Sequence, residues 1–434
     1  MLELWDKYWL LLLSVLAVLL VLWAVAVLSK YVRLMLNIIR DTPVPLIGPL
    51  DFVRLVGRQL NFRAFDGTLL RGMFLSRQCL TELDCPGNEA GPISCREDND
   101  NYLNGDTRGV VIFCHEYGSD MYSCARYCRP LLEAGFDVFT FDFRSHGASS
   151  SLKGYEPRLW CSDKEISDCL GALALVQSML QERKLDVNMG LFGISRGASA
   201  AIMAAVQAGP ILPVKAVVAD GAFSTDTTLE WSMKKWVHIF ARVRFVYENH
   251  RPIFWHFLRW LLLKFARIRF GCSFPSVRKN LRRLKDTAIF FIHGGRDSYI
   301  PPEHTRMLFA EAHRPRYLWI VPEAKHNQSV MVEPGLYSAR MVAFFERYLD
   351  QADPATIKIL ESCKKDVWAL DSTGEGTAFH QKGKKGRINV STVDRLWCGP
   401  EGAAPPETVR KAITEVSGDS EPAAKKNLER QSRQ

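Results

Sequence analysis

The chain has 434 residues, 47% of them hydrophobic and 24% charged, with 56 Lys and Arg against 47 Asp and Glu for a formal charge of +9. That composition excludes a disordered chain, a collagen-like repeat and a small disulfide scaffold. The charge is local: residues 229–285 hold 14 basic and 2 acidic side chains, a net +12 that leaves the rest of the chain at −3.

Residues 9–28 carry no charge over 20 positions, which as a helix rises about 30 Å, enough to cross a bilayer core. Trp5, Tyr8 and Trp9 at one end and Tyr31 at the other suit interfacial belts. A cleaved signal peptide is the rival reading, because Ala24-Val25-Ala26 resembles a processing site. That tripeptide lies inside the apolar run, however, and the stretch before it carries Glu3 and Asp6 against Lys7 where a basic region is needed. The expectation is a transmembrane anchor over residues 1–31, and Lys30, Arg33 and Arg40, which follow its charge-free span, place the body in the cytoplasm by the positive-inside rule. Residues 32–57, with Pro43, Pro45 and Pro49, read as a connector.

From residue 58 onward, β-rich apolar runs alternate with helical patterns. Strands are predicted over 60–65, 70–75, 110–114, 137–142, 189–192, 216–219, 288–292 and 317–321. The first two, joined by Asp66-Gly67-Thr68, read as an antiparallel hairpin at a sheet edge. Over 163–182, Ile166, Leu170, Leu173 and Leu180 recur at helical spacing. Such alternation implies a mostly parallel sheet with helices on both faces. Eleven cysteines, an odd number spread along the chain, fit a reducing compartment. Cys79, Cys85 and Cys95 lack metal-ligand spacing, and the Asp100 to Asp106 run has Tyr102 where a calcium loop needs an oxygen, so no metal or other cofactor is expected. Residues 352–434 form an extension whose part beyond 371 is polar, aperiodic and expected to be disordered.

Chemistry concentrates at three places. Gly193-Ile194-Ser195-Arg196-Gly197 follows an apolar run and opens an Ala-rich helical stretch; a G-x-S-x-G pattern there has glycines to allow a tight turn that exposes the Ser195 hydroxyl. A serine nucleophile needs a base and an acid that orients it. Asp297 follows the strand at 288–292 and His326 follows the next, the order Ser, Asp, His of an elbow-type triad. Asp220, after 216–219, is the competing acid. The oxyanion would be met by the backbone N–H of Arg196 and by one from Cys114-His115-Glu116-Tyr117-Gly118, at Tyr117. The Glu116 carboxylate must then point away from it.

GISRG, IHGGRDSYIP, AKHNQS and Phe141-Asp142-Phe143-Arg144-Ser145-His146-Gly147-Ala148-Ser149, a D-x-R-x-x-G-x-S pattern, together resemble the α/β-hydrolase superfamily, and NFRAFDGTLLRG resembles its first hairpin. The nearest likeness is to membrane-anchored serine hydrolases of the Bem46-like and serine-aminopeptidase-like group, over about 58–351. The resemblance implies an α/β-hydrolase fold with an eight-stranded, mostly parallel sheet. It also implies hydrolysis of esters, thioesters or amides without a metal, by Ser195 as nucleophile, Asp297 as acid and His326 as base. Asp142 and Arg144 would be structural. Glu116 departs from the family, which has Gly after that His. The resemblance also makes 229–285 a helical cap insert over the site.

In that insert, Trp, Phe and Leu interleave with Arg and Lys, with no charge-free run of 18 residues, so no second span is expected. Its aromatic and basic surface suits an anionic membrane, and charges at Arg259, Lys264 and Arg267 would carry that contact; an ordinary cap packed on the core is the alternative. No nucleic-acid motif accompanies the charge. The expected function is hydrolysis of an ester or thioester, lipid or acylated, with an amidase or peptidase as the second reading and a non-catalytic membrane tether as the third.

Overall fold

The computed structural model describes residues 2–41, 57–77, 103, 105–240, 251–350 and 358–360. The Cys79/Cys85/Cys95 loop, the prolines of the expected connector, residues 241–250 of the insert and the expected disordered tail lie outside the described residues.

Eight strands form one sheet: β1 (Arg58–Arg63), β2 (Leu69–Leu75), β3 (Val110–Cys114), β4 (Asp137–Phe141), β5 (Met189–Ile194), β6 (Val214–Asp220), β7 (Ala288–Gly294) and β8 (Arg316–Val321). Their spatial order is β1-β2-β4-β3-β5-β6-β7-β8. β2 runs antiparallel to both β1 and β4, and every pair from β4 to β8 is parallel. The expected edge hairpin and mostly parallel sheet are both present, with strand ends shifted by one or two residues.

Because side chains alternate across a strand, each strand feeds two cores. Val110, Ile112 and Cys114 of β3 enter one apolar layer, and Val111 and Phe113 enter the other. The first layer is closed by α3 (Asp163–Glu182) and α4 (Arg196–Ala208), the second by α2 (Cys124–Glu133) and, further along the chain, the final long helix (Pro334–Leu349). α3 starts where the sequence places it because Ser162 and Glu165 form a reciprocal capping box, which satisfies amides at the helix start.

α1 (Leu2–Asp41) differs from the expected layout. Between Tyr8 and Arg33 it is long and apolar enough to cross a membrane, and it is the one described helix that is. It does not end near Tyr31 but runs through ten residues assigned to a connector. There Val32, Met35 and Ile39, at helical spacing, are buried, while Lys30, Arg33 and Arg40 stay exposed. They pack in a third apolar cluster with the helices that follow β6, which are α5 (Thr225–Phe240) and α6 (Pro252–Phe270). After these come α7 (Val277–Leu281) and α8 (Pro302–Glu311), which close the first layer beside α4.

Candidate active site

Ser195 sits at the turn from β5 into α4 with φ 53° and ψ −113°, a conformation that costs a non-glycine residue energy and needs its surroundings to hold it. Its N–H donates to the Asp220 carbonyl (2.7 Å). The flanking glycines serve a different purpose from the one expected of them. Neither adopts the left-handed region; instead a Cβ on Gly193 would lie 2.5 Å from the Ala198 Cα, and one on Gly197 would lie 2.2 Å from the Cys114 carbonyl oxygen. Their missing side chains let α4 press against β5 and against the end of β3, and the strain falls on the serine.

Asp297 follows β7 and His326 lies between β8 and α9 (Ser329–Val332), so all three side chains meet beyond the carboxyl ends of parallel strands. Ser195 Oγ lies 2.9 Å from His326 Nε2, and His326 Nδ1 lies 2.6 Å from Asp297 Oδ2. With Nδ1–H donating to the carboxylate, Nε2 is left as an acceptor for the serine proton. Asp297 Oδ1 in turn accepts from the Tyr299 and Ile300 amides (2.9 and 2.8 Å). Burial alone would raise the Asp297 pKa, but hydrogen bonds from His293 and His326 prevail and hold it below the ordinary carboxylate range. The competing acid is placed elsewhere: Asp220 Oδ2 accepts from the Tyr337 hydroxyl (2.9 Å), and Ser329 Oγ lies 3.5 Å from Oδ1.

A strand order of 1-2-4-3-5-6-7-8 with a serine elbow after the fifth strand decides the architecture. The fold is that of the α/β-hydrolases. In agreement, the family model of serine aminopeptidase S33 matches residues 105–250. Among curated relatives, the uncharacterized protein YfhR of Escherichia coli O157:H7 is 24% identical over 289 residues, 66% of this chain and 79% of that one. The uncharacterized protein YqkD of Bacillus subtilis is 24% identical over 251 residues, 57% and 74% of the two chains. Similar solved structures include an esterase of Pyrococcus furiosus (19% identity, TM-score 0.46, 70% of this chain and 96% of that one). Another is an acylaminoacyl peptidase of Pyrococcus horikoshii (17%, TM-score 0.46, 71% and 45%).

Three features of this site are not legible in the sequence. The first is Arg196, singled out there only for its backbone. Its guanidinium is fully buried, donates to the Arg158 carbonyl (3.0 Å) and His146 Nε2 (3.2 Å), and lies 3.7 Å from Glu165. It also stacks 5.0 Å from the ring centre of Tyr117, so the residue after Ser195 braces the loop after β3. The second is the pair His115 and His146. Burial, reinforced by neighbouring positive charge, lowers both pKa values, to about 3 for His146, and leaves both rings neutral at pH 7. The third is His293, buried on β7, whose Nε2 lies 3.2 Å from Asp297 Oδ2 and 2.8 Å from the Ile300 carbonyl. Two acceptors around one nitrogen make it a donor.

The residues expected to donate to the oxyanion meet through their side chains, the Arg196 guanidinium lying 5.0 Å from the ring centre of Tyr117. Arg196 is the first residue of α4, where an amide has no intrahelical acceptor, and Tyr117 belongs to the loop on which Gly197 packs. Glu116 is buried, with Ser123 Oγ 3.5 Å from its carboxylate and Arg126 nearby; burial raises its pKa against those attractions. Asp142 and Arg144 are structural, as the resemblance implies: Asp142 accepts from the Met121 and Ala148 amides (both 2.7 Å), and Arg144 spans Asp66 and Asp168 (2.7 and 2.5 Å). Among the described residues no cluster of His, Cys, Asp or Glu is arranged to hold a metal.

Proposed function

We propose that the protein is a membrane-anchored serine hydrolase that cleaves an ester or thioester of a lipid or other acylated molecule. The observation that carries this reading is the unbroken chain from Ser195 Oγ through His326 to Asp297, at 2.9 and 2.6 Å. Ser195 Oγ attacks the carbonyl carbon as His326 Nε2 takes its proton, and the Arg196 and Tyr117 amides receive the oxyanion. His326 then returns the proton to the departing alkoxide or thiolate, leaving an acyl-Ser195. Water, deprotonated by His326, attacks that acyl group and restores the serine. Asp297, held ionised, keeps Nδ1 protonated and balances the imidazolium that forms in each half. α1 anchors the chain, with the body on the cytoplasmic side where Lys30, Arg33 and Arg40 lie.

A fluorophosphonate probe should label the wild type and leave Ser195→Ala unlabelled; equal labelling of both would reject the nucleophile. An amidase or peptidase is the second reading, favoured by the serine aminopeptidase model over 105–250. Comparing turnover of long-chain esters with that of aminoacyl amides separates the two.

A further inference from the structure

α6 is apolar on two opposite faces. Trp255, Leu258, Leu262, Ala266 and Phe270 turn inward and pack with α5 and with Val32, Met35 and Ile39 of α1. On the other side Ile253, Phe257, Trp260 and Ile268, again at helical spacing, are 74%, 50%, 54% and 81% exposed. Phe257 and Trp260 stack on each other with ring centres 6.0 Å apart, making a continuous surface. An uncovered apolar stripe marks a contact surface.

The neighbour of that stripe identifies its occupant. α1 is one uninterrupted helix whose apolar side chains are exposed from Tyr8 to Val25 and whose buried contacts begin at Val32. Seven helical residues rise about 10 Å, so α1 leaves its exposed apolar stretch and meets α6 within two turns, with no break between them. Any bilayer that covers α1 therefore lies beside α6. The charge on this surface is smaller than the sequence suggests: Arg259 is tied to Glu230 at 2.6 Å, and Arg278 and Arg282 both pair with Glu311 (2.9 and 2.5 Å). Lys264, exposed, interrupts the stripe one turn from both Trp260 and Ile268, and Arg267 stays exposed beside it. The contact is thus apolar first and electrostatic second. Inward, the cluster that holds α6 also takes in Tyr117 and Tyr299, and the Tyr299 ring centre is 5.5 Å from that of His326.

We propose that the outer stripe of α6 seats in the interface of the bilayer that α1 enters, and that the site takes its acyl substrates from that bilayer. This rests on the serine hydrolase reading for the substrate but not for the seating. The test uses the full chain in phosphatidylcholine vesicles. Brominated acyl chains should quench the fluorescence contributed by Trp260, taken as the difference between wild type and Trp260→Phe. A triple variant, Ile253→Ser, Phe257→Ser and Ile268→Ser, should keep probe labelling and turnover of a soluble short-chain ester, yet lose roughly tenfold in turnover of a long-chain ester in the vesicles. Absent quenching together with an unchanged ratio of the two turnovers overturns the inference. So does a dimer that the triple variant disperses without any quenching, since the stripe would then be covered by a second copy. A wild type that the probe does not label removes the substrate half of the proposal, while quenching alone decides the seating.

Discussion

Asp297 receives four hydrogen bonds or close contacts, from His326, His293 and the Tyr299 and Ile300 amides, and no other described carboxylate touches His326. Replacing it by Asn removes the charge that favours Nδ1–H and lets the imidazole take the wrong tautomer. Turnover should then fall roughly a thousandfold to ten-thousandfold, whereas Asp220→Asn, which faces Tyr337 and Ser329, should change it little. The same residue makes a prediction about pH. A carboxyl group whose folded pKa is depressed contributes stability fully above its unfolded value near about 4, and loses it as pH falls toward the folded value. The stability gap between wild type and Asp297→Asn should therefore be widest at neutral pH and close progressively in acid. A gap that stayed constant with pH would mean the carboxylate is not held in its ionised form by His293 and His326.

At the scale of elements, the β5–turn–α4 unit makes the site, and its two glycines are there for space. A Cβ at Gly197, 2.2 Å from the Cys114 carbonyl, meets backbone at the end of a central strand that has nowhere to move. Gly197→Ala should cost about 3 kcal/mol or more and lower the apparent unfolding temperature by roughly 5–10 °C, with probe labelling lost alongside. Gly105→Ala, where no atom lies within 4 Å, is the control and should do neither. Equal shifts for both would show that chain entropy, and not contact with β3, is what these glycines supply. The strand-turn-helix unit was legible because it is local: an apolar run, a small-residue turn and an Ala-rich stretch adjoin in the sequence. Arg196 and His293 were not: the partners of Arg196, Glu165 and His146, lie 31 and 50 residues away, and those of His293, Ile300 and Thr305, are brought to it only by the loop and helix that follow β7. The continuation of α1 was half-legible. Val32, Met35 and Ile39 keep a helical period, but the nearby Lys30, Arg33 and Arg40 read as the end of an apolar run when they are its solvated face.

For the whole molecule, α1 divides into two stretches with different surroundings. Residues from Tyr8 to Val25 make no buried contact, while Val32, Met35 and Ile39 join the apolar cluster of α5 and α6. Burying three such side chains contributes about 1.5–3 kcal/mol each, and removing them also uncovers Trp255, Leu258 and Leu262 beneath. The two stretches can be separated by truncation, measured in mild detergent so that solubility does not dominate. A chain lacking residues 2–27 keeps Val32, Met35 and Ile39, and should unfold near the wild-type temperature. One lacking residues 2–41 loses them, and should unfold earlier and label more weakly with a fluorophosphonate, because α6 also packs in the cluster that holds Tyr299 next to His326. If the two truncations unfold and label alike, the packing of α1 on α5 and α6 contributes nothing to stability or to the site. If they differ as expected, the helix proposed to anchor the chain is also packed into the cluster that holds Tyr299 beside His326.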